Sequence, residues 1–310
     1  MSKFLSRYEQ LFYAALRIRL VEEKIIELYP FDKIQSPVHL SIGQEAVAVG
    51  LCSQLKIDDW VFINYRGHSF YLAKGGPLPK LFAELYGKST GLSKGKAGSM
   101  HLAAPDCGVM GASAVVGSTI SHAVGAALAS KIRGENRIYV SVFGDGATEQ
   151  GCYHESLNFA SLHNLPVLFL CENNGLAVHT PLEERHSFSL TQHAKVYGID
   201  TIFIDEGYDF VKISNVCAHL LSQIRMNQRP LFLEVKTCRY KEHVGPGEDF
   251  FAGYRDLDAI NSWKKMDPLE TDKKLVDKFS SEILIEIDEA VHYAEISPFP
   301  TIKDLLTDVI

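Results

Sequence analysis

From residue 5 to 29 apolar and charged positions recur at helical spacing, most clearly in LRIRLVEEKIIEL (16–28), and the pattern stops at Tyr29-Pro30. This predicts an amphipathic N-terminal helix whose apolar stripe is packing surface. Glycine-rich connections follow around Gly43, Gly67, Gly75-Gly76, Gly91 to Gly98 and Gly108 to Gly111, too many turn signals for a plain helical bundle. The least polar stretch, AVVGSTISHAVGAALAS (114–130), contains His122 and three serines, so it reads as a buried helix of small residues, short of a membrane span. Beyond it come apolar runs at IYVSVF (138–143), PVLFLC (166–171), TIFI (201–204) and PLFLEVK (230–236), separated by helical segments. Such alternation predicts an α/β fold, a doubly wound, mainly parallel sheet with helices on both faces. The last fifty residues are charged and helical, with Pro268, Pro298 and Pro300 as breaks. The expected organisation is a single domain over 1–310, with an N-terminal helical segment at 1–37 and a C-terminal helical segment at 256–310.

Composition narrows the class. With 310 residues, 46% hydrophobic and 10% aromatic, the chain can bury a large core. A net charge of −7 without a Lys/Arg-rich block offers no field for a phosphate backbone, so nucleic acid is not an expected partner. The start, MSKFLSRYEQ, lacks the apolar centre of a signal peptide. The six cysteines form no CxxC pair and several lie in apolar runs, which fits reduced thiols in a cytoplasmic protein that does not enter membranes.

The candidate chemistry lies where two of the apolar runs end. The first finishes in Gly144-Asp145-Gly146 and the second in Glu172-Asn173-Asn174. The crossover between them, 147–165, has helical character, with Thr148 able to cap, Glu149 suited to the positive N-terminus, and Asn164 with Pro166 closing it. Neighbouring strands lie about 4.8 Å apart, so Asp145 and the Asn173-Asn174 pair are expected to converge at the strand carboxyl ends, where open α/β sheets bind ligands. GDGATE (144–149) is no dinucleotide fingerprint, and Asp145 repels a bare pyrophosphate; GLSKGKA (91–97) is no P-loop. A phosphate held through a divalent cation remains, with carboxylate, amide and carbonyl oxygens as suitable hard ligands. Either motif alone is an ordinary turn; their spacing, 26 residues between Gly146 and Asn173, carries the reading. His154-Glu155 lacks the second His of a zinc helix, Glu45 is expected to be a buried, paired acid, and His68 and His101 are as readily structural as functional.

In its motifs the chain resembles a known family, the alpha subunit of the thiamine diphosphate-dependent decarboxylase component of 2-oxo acid dehydrogenase complexes, a group that includes pyruvate, branched-chain 2-oxo acid and acetoin dehydrogenases. The likeness runs nearly end to end, through HLSIGQEAV (39–47), NYRGH (64–68), LYGKSTG (85–91), GKAGSMH (95–101), GDGATEQG (144–151), CENNG (171–175), RYKEH (239–243) and AVHYAEISPFP (290–300). The resemblance implies Mg²⁺ ligation by Asp145, Asn174 and the carbonyl of Leu176, which stands where a tyrosine is common. It implies diphosphate contacts from the main chain of Gly146 and Ala147 and a grip on the terminal phosphate by Tyr65 and Arg66. A closing loop with Arg239 and His243 and an aminopyrimidine contact from Ala114 and Val116 belong to the same likeness. His39 matches a substrate-side histidine, and with His243 it is the candidate acid or base.

The resemblance further implies that the carboxylate acting on the aminopyrimidine comes from a separate beta subunit, in a heterotetramer of two alpha and two beta chains. A lipoyl acyltransferase component and a small 2-oxo acid or acetoin are the other expected partners. Val244 stands where animal pyruvate dehydrogenases carry a phosphorylatable serine, so that mode of control is not expected here. Two other readings are the cofactor-binding half of a split transketolase and a non-catalytic assembly subunit. The string from His39 and the loop from Arg239 weigh against the first, and the intact ligand set against the second.

Overall fold

The computed structural model describes residues 5–308, so the outermost positions of the expected terminal segments lie outside the described residues. Among the described residues there are eight strands: β1 (Trp60–Asn64), β2 (Val109–Ser113), β3 (Tyr139–Gly144), β4 (Val167–Asn173), β5 (Leu176–Ala177), β6 (Thr180–Pro181), β7 (Asp200–Ile204) and β8 (Leu231–Lys236). Six form one sheet in the order β2-β1-β3-β4-β8-β7, parallel throughout, and β5 pairs with β6 as a small antiparallel hairpin. The four strands expected from 138 onward are all there. β1 and β2 extend the sheet beyond them, within the region whose glycines read as connections.

The helices are α1 (Arg7–Leu28), α2 (Glu45–Cys52), α3 (His68–Ala73), α4 (Leu78–Leu85), α5 (Ser118–Arg133), α6 (Gly151–Leu162), α7 (Leu190–Val196), α8 (Phe210–Asn227), α9 (Leu257–Lys264), α10 (Pro268–Thr271) and α11 (Lys273–Ile296). They cover both faces of the sheet because its strands alternate with period two. In β4, Leu168 and Leu170 face a core built with α1, α2, α8 and α11, while Val167, Phe169 and Cys171 face a second core built with α5, α6 and α7. All seven residues of β4 are buried, as a central parallel strand requires. Each large apolar side chain buried in this way contributes about 1.5–3 kcal/mol.

α1 begins with a capping box: Glu9 N–H donates to Ser6 Oγ (3.2 Å) and Ser6 N–H to the Glu9 carboxylate (2.9 Å). Its expected stripe is buried at Leu11, Phe12, Ala15, Leu16, Ile18, Val21, Ile25 and Leu28. Three details differ from expectation. α5 is buried on one face only, with Ser121, His122 and Gly125 exposed, because the sheet can cover only one side of it. Thr148 does not cap the crossover helix: residues 145–149 form a 3-10 turn in which Thr148 Oγ donates to the Asp145 carbonyl (2.7 Å), and α6 starts at Gly151. Pro268 opens α10 after Asp267, which accepts from the Leu269 N–H, so it starts a helix instead of breaking one. Among the described residues no helix is long and apolar enough to cross a membrane.

Candidate active site

β3 and β4 are adjacent and in register, Phe143 opposite Cys171 and Gly144 opposite Glu172, so their tips end side by side. Local hydrogen bonds set the course of the chain past each strand. Past β1, Asn64 Oδ1 accepts from the Arg66 N–H (2.8 Å), a tight turn that sends Tyr65 and Arg66 off the sheet edge. Past β4, Asn173 Oδ1 accepts from Gly175 N–H (2.9 Å) and Asn174 Oδ1 from Leu176 N–H (3.1 Å), with Gly175 at φ +76°. The paired asparagines therefore divide: Asn173 donates its amide to Glu234 (2.8 Å) within the sheet, and only Asn174 reaches the site. Between β1 and β3 the connections leave to opposite sides, the place where doubly wound sheets open a crevice.

A cavity of about 200 Å³ lies over these tips. Of the residues expected in the site, Tyr65, Arg66, Val116, Asp145, Gly146, Ala147, Asn174, Leu176 and His243 line it. Ala114 does not, although its neighbours Ser113 and Val115 do. His39 stands one layer behind, its ring 4.5 Å from that of Tyr65 and 5.3 Å from that of His243. Arg239 is also outside the lining. Its guanidinium donates to the carbonyls of Lys241 and Val178 and pairs with Asp249 (3.5 Å), so it ties the loop 241–249 to the tip of the β5–β6 hairpin. His68 is enclosed in the core, between Glu22 (3.0 Å) and Ser99 (2.7 Å), and His101 is exposed. Glu45 pairs with Arg19 as the expected buried acid.

The electrostatics of the cavity are unbalanced. Arg66 is 5% exposed, donates to the carbonyls of Leu40 and His243, and among the described residues makes no ion pair. Burial, then the nearby Arg239, lowers it to about 10, so it stays cationic at neutral pH. Burial also drives His39 and His243 each down to about 3, with Arg66 the next cause, so both imidazoles are neutral. Asp145, 1% exposed, is pushed up to about 6 by burial against the opposing pull of Arg185. Its Oδ1 is buried and has no partner among the described residues.

Three participants escaped the sequence reading. Gln44 lines the cavity and accepts from the Asn174 amide (3.1 Å). Glu172, inside β4, lines it too, with Oε1 unpaired among the described residues and its carboxyl pushed up to about 8 by burial. Arg185 pairs with Asp145 and Glu149. Gln44 stands in the HLSIGQEAV string and Glu172 in CENNG, which was the available signal; nothing local marks Arg185. Among the described residues no cluster of three or more His, Cys, Asp or Glu could hold a metal, so an ion here would rest on the Asp145 carboxylate with amide and carbonyl oxygens. The donor set suits a magnesium ion that shares its shell with phosphate.

A doubly wound parallel sheet with a cavity at its carboxyl edge defines an α/β protein of the class that binds ligands at that edge. The chain belongs to the dehydrogenase E1 component family, which matches residues 13–303. It is 36% identical over 302 residues to the alpha subunit of acetoin:2,6-dichlorophenolindophenol oxidoreductase of Bacillus subtilis, covering 95% of this chain and 90% of that one. It is 34% identical to the pyruvate dehydrogenase E1 component subunit alpha of Zymomonas mobilis, covering 95% and 86%. Membership makes it an oxidoreductase of the thiamine diphosphate-dependent class. The fold is also that of transketolase from Campylobacter jejuni, with a TM-score of 0.62 at 16% identity; 92% of this chain is covered but 49% of the transketolase, so the chain spans about half of that neighbour. That likeness is one of fold, and the family match favours the dehydrogenase over the transketolase half.

Proposed function

We propose that this chain is the alpha subunit of a pyruvate-like 2-oxo acid or acetoin dehydrogenase, holding thiamine diphosphate through Mg²⁺ at the tips of β3 and β4. One juxtaposition carries the reading. Among the described residues, a buried carboxylate oxygen without a partner, Asp145 Oδ1, and a buried cation without a counter-ion, Arg66, line the same small cavity. A divalent cation bound to a diphosphate answers both needs at once.

Asp145, Asn174 and the Leu176 carbonyl would hold the metal, and the main chain of Gly146 and Ala147 would meet the diphosphate. Arg66 and the Tyr65 hydroxyl would bind terminal phosphate oxygens through charge-assisted hydrogen bonds. The chemistry supplied by bound thiamine diphosphate is addition to a carbonyl and storage of the electron pair left by carbon–carbon cleavage. This chain's own part is to orient the cofactor and to manage protons with His39 and His243. As neutral imidazoles near neutral pH they each offer one ring nitrogen that donates a hydrogen bond and one that accepts.

The carboxylate that works on the aminopyrimidine would come from a beta subunit, in an assembly of two alpha and two beta chains. A lipoyl acyltransferase component is a candidate acyl acceptor. Six unpaired thiols, four of them buried, suit a cytoplasmic setting. The test pairs the chain with its beta subunit, thiamine diphosphate, Mg²⁺ and a dye acceptor, against a panel of 2-oxo acids and acetoin. Turnover is expected only when both subunits are present, and robust turnover by this chain alone would defeat the proposal. Asp145→Ala is expected to abolish metal-dependent cofactor binding in calorimetry while circular dichroism stays native, and unchanged affinity would count against the site.

A further inference from the structure

The hairpin after Asn174 reaches the metal carboxylate from a second direction. Beyond β6 the chain makes a 3-10 turn, Leu182–Glu184, and Arg185 folds back beneath it. Its Nε donates to the carbonyls of Thr180 (3.1 Å) and Pro181 (3.3 Å), so the hairpin itself aims the guanidinium. One terminal nitrogen pairs with Asp145 Oδ2 and the other with Glu149. The Arg185 and Asp145 side chains are 8% and 1% exposed, so solvent does little to screen this pair. The same carboxylate keeps its other oxygen, Oδ1, buried and, among the described residues, unpartnered.

The two oxygens of Asp145 are thus already divided. A planar fork anchored by four acceptors is a rigid clamp, unlike a flexible lysine in the same place. We propose that Arg185 is a positioning residue for the metal ligand: by occupying Oδ2 it presents Oδ1 as a single donor oxygen and so biases the site toward Mg²⁺ over Ca²⁺. Mg²⁺ demands a compact octahedral shell, whereas Ca²⁺ accepts higher coordination with two oxygens from one carboxylate. A clamp that forbids the two-oxygen mode selects between them on geometry. Carboxylates that bind metals are themselves hydrogen-bonded by an outer layer of residues, and Arg185 fills that place here. The hairpin that aims Arg185 also carries Leu176, so its folding brings two parts of the metal site into place together. This inference rests on the metal-bridged cofactor reading.

The experiment uses the protein assembled with its beta subunit, stripped with chelator, saturated with thiamine diphosphate and titrated calorimetrically with MgCl₂ and, separately, with CaCl₂. R185Q is expected to weaken Mg²⁺ binding about 10–100-fold and Ca²⁺ binding by less, so that the Mg²⁺-to-Ca²⁺ affinity ratio falls. R185K, which keeps charge without the fork, is expected to lie between native and R185Q. Glu149→Gln loosens the clamp from a partly exposed position without touching Asp145, and is expected to move the ratio the same way by less. It decides the matter where R185Q does not fold. An unchanged ratio in the folded variants, or tighter Mg²⁺ binding on removal of Arg185, overturns the proposal. A native assembly that binds neither ion overturns the cofactor reading first, and this inference with it.

Discussion

Glu172 shows how one side chain inherits its chemistry from burial. It sits on a strand whose seven residues are all enclosed, and desolvation holds its carboxyl up to about 8. In the unfolded chain the same group ionises in the ordinary carboxylate range, so between about pH 4.5 and 8 folding takes up a proton. Its stabilising contribution is therefore complete below that window and is lost as pH rises through it. Glu172→Gln, permanently neutral, is expected to be more stable than the native chain by a margin that widens from pH 5 to pH 8 and then levels. Thermal melts across that range check this, and a constant difference would refute it. His39 and His243 act with the opposite sign. The unfolded imidazoles protonate below about 6.5 while the folded ones do not until about 3, so stability falls as pH falls in that window. Neither behaviour is visible in a string of letters, since both come from what surrounds the side chain.

At the scale of elements, the site is closed by two connections that hold each other. The β5–β6 hairpin turns at Val178, whose φ of +55° is costly for a β-branched residue, and its carbonyl accepts from Arg239. The His179 ring packs 4.6 Å from that of Tyr254, and Tyr254 bonds to Asp249 on the closing loop. The loop is in turn fastened by Gly245 N–H to the Val38 carbonyl (2.8 Å). Arg239→Met is expected to raise amide exchange in residues 176–181 and 241–254 together while leaving β3 and β4 protected. A change confined to one of the two segments would show that they are not coupled. The approach of Gly43 to this layer is equally specific: at φ +95°, a Cβ there would lie 2.2 Å from the Cys238 carbonyl oxygen.

Across the whole molecule, Arg19 of the N-terminal helix joins α2 and the C-terminal segment. It pairs with Glu45, Asp267 (3.0 Å) and Glu270 (3.0 Å), and the Tyr240 hydroxyl donates to the same Asp267 (2.9 Å). Arg19 and its first two partners are all below a tenth exposed, so removing the cation strands two buried carboxylates. Arg19→Met is expected to cost about 3–5 kcal/mol in denaturant unfolding. A loss below about 1 kcal/mol would mean that the network behaves like a surface pair. This arrangement ties the two ends of the chain to the layer that carries His39 and Gln44, and so links global stability to the site.

Strand ends and the candidate residues that gather beside them were legible because they are local facts. An apolar run followed by Gly-Asp-Gly, a crossover helix and Asn-Asn can end only at one edge of a parallel sheet, and the strings around Tyr65, Arg66 and His243 place those residues on connections beside it. β1 and β2 were not legible: WVFIN and VMGAS are short, flanked by turn residues, and gain strand character from the neighbours they pair with. The division of labour between Asn173 and Asn174, the withdrawal of Arg239 from the cavity, the neutral state of Glu172 and the clamp of Arg185 on Asp145 were decided by tertiary structure alone. The periodicity of a chain dictates which elements form and where they end. Which polar groups finally face one another, and at what cost in lost water, depends on residues far apart in sequence that only packing brings within reach.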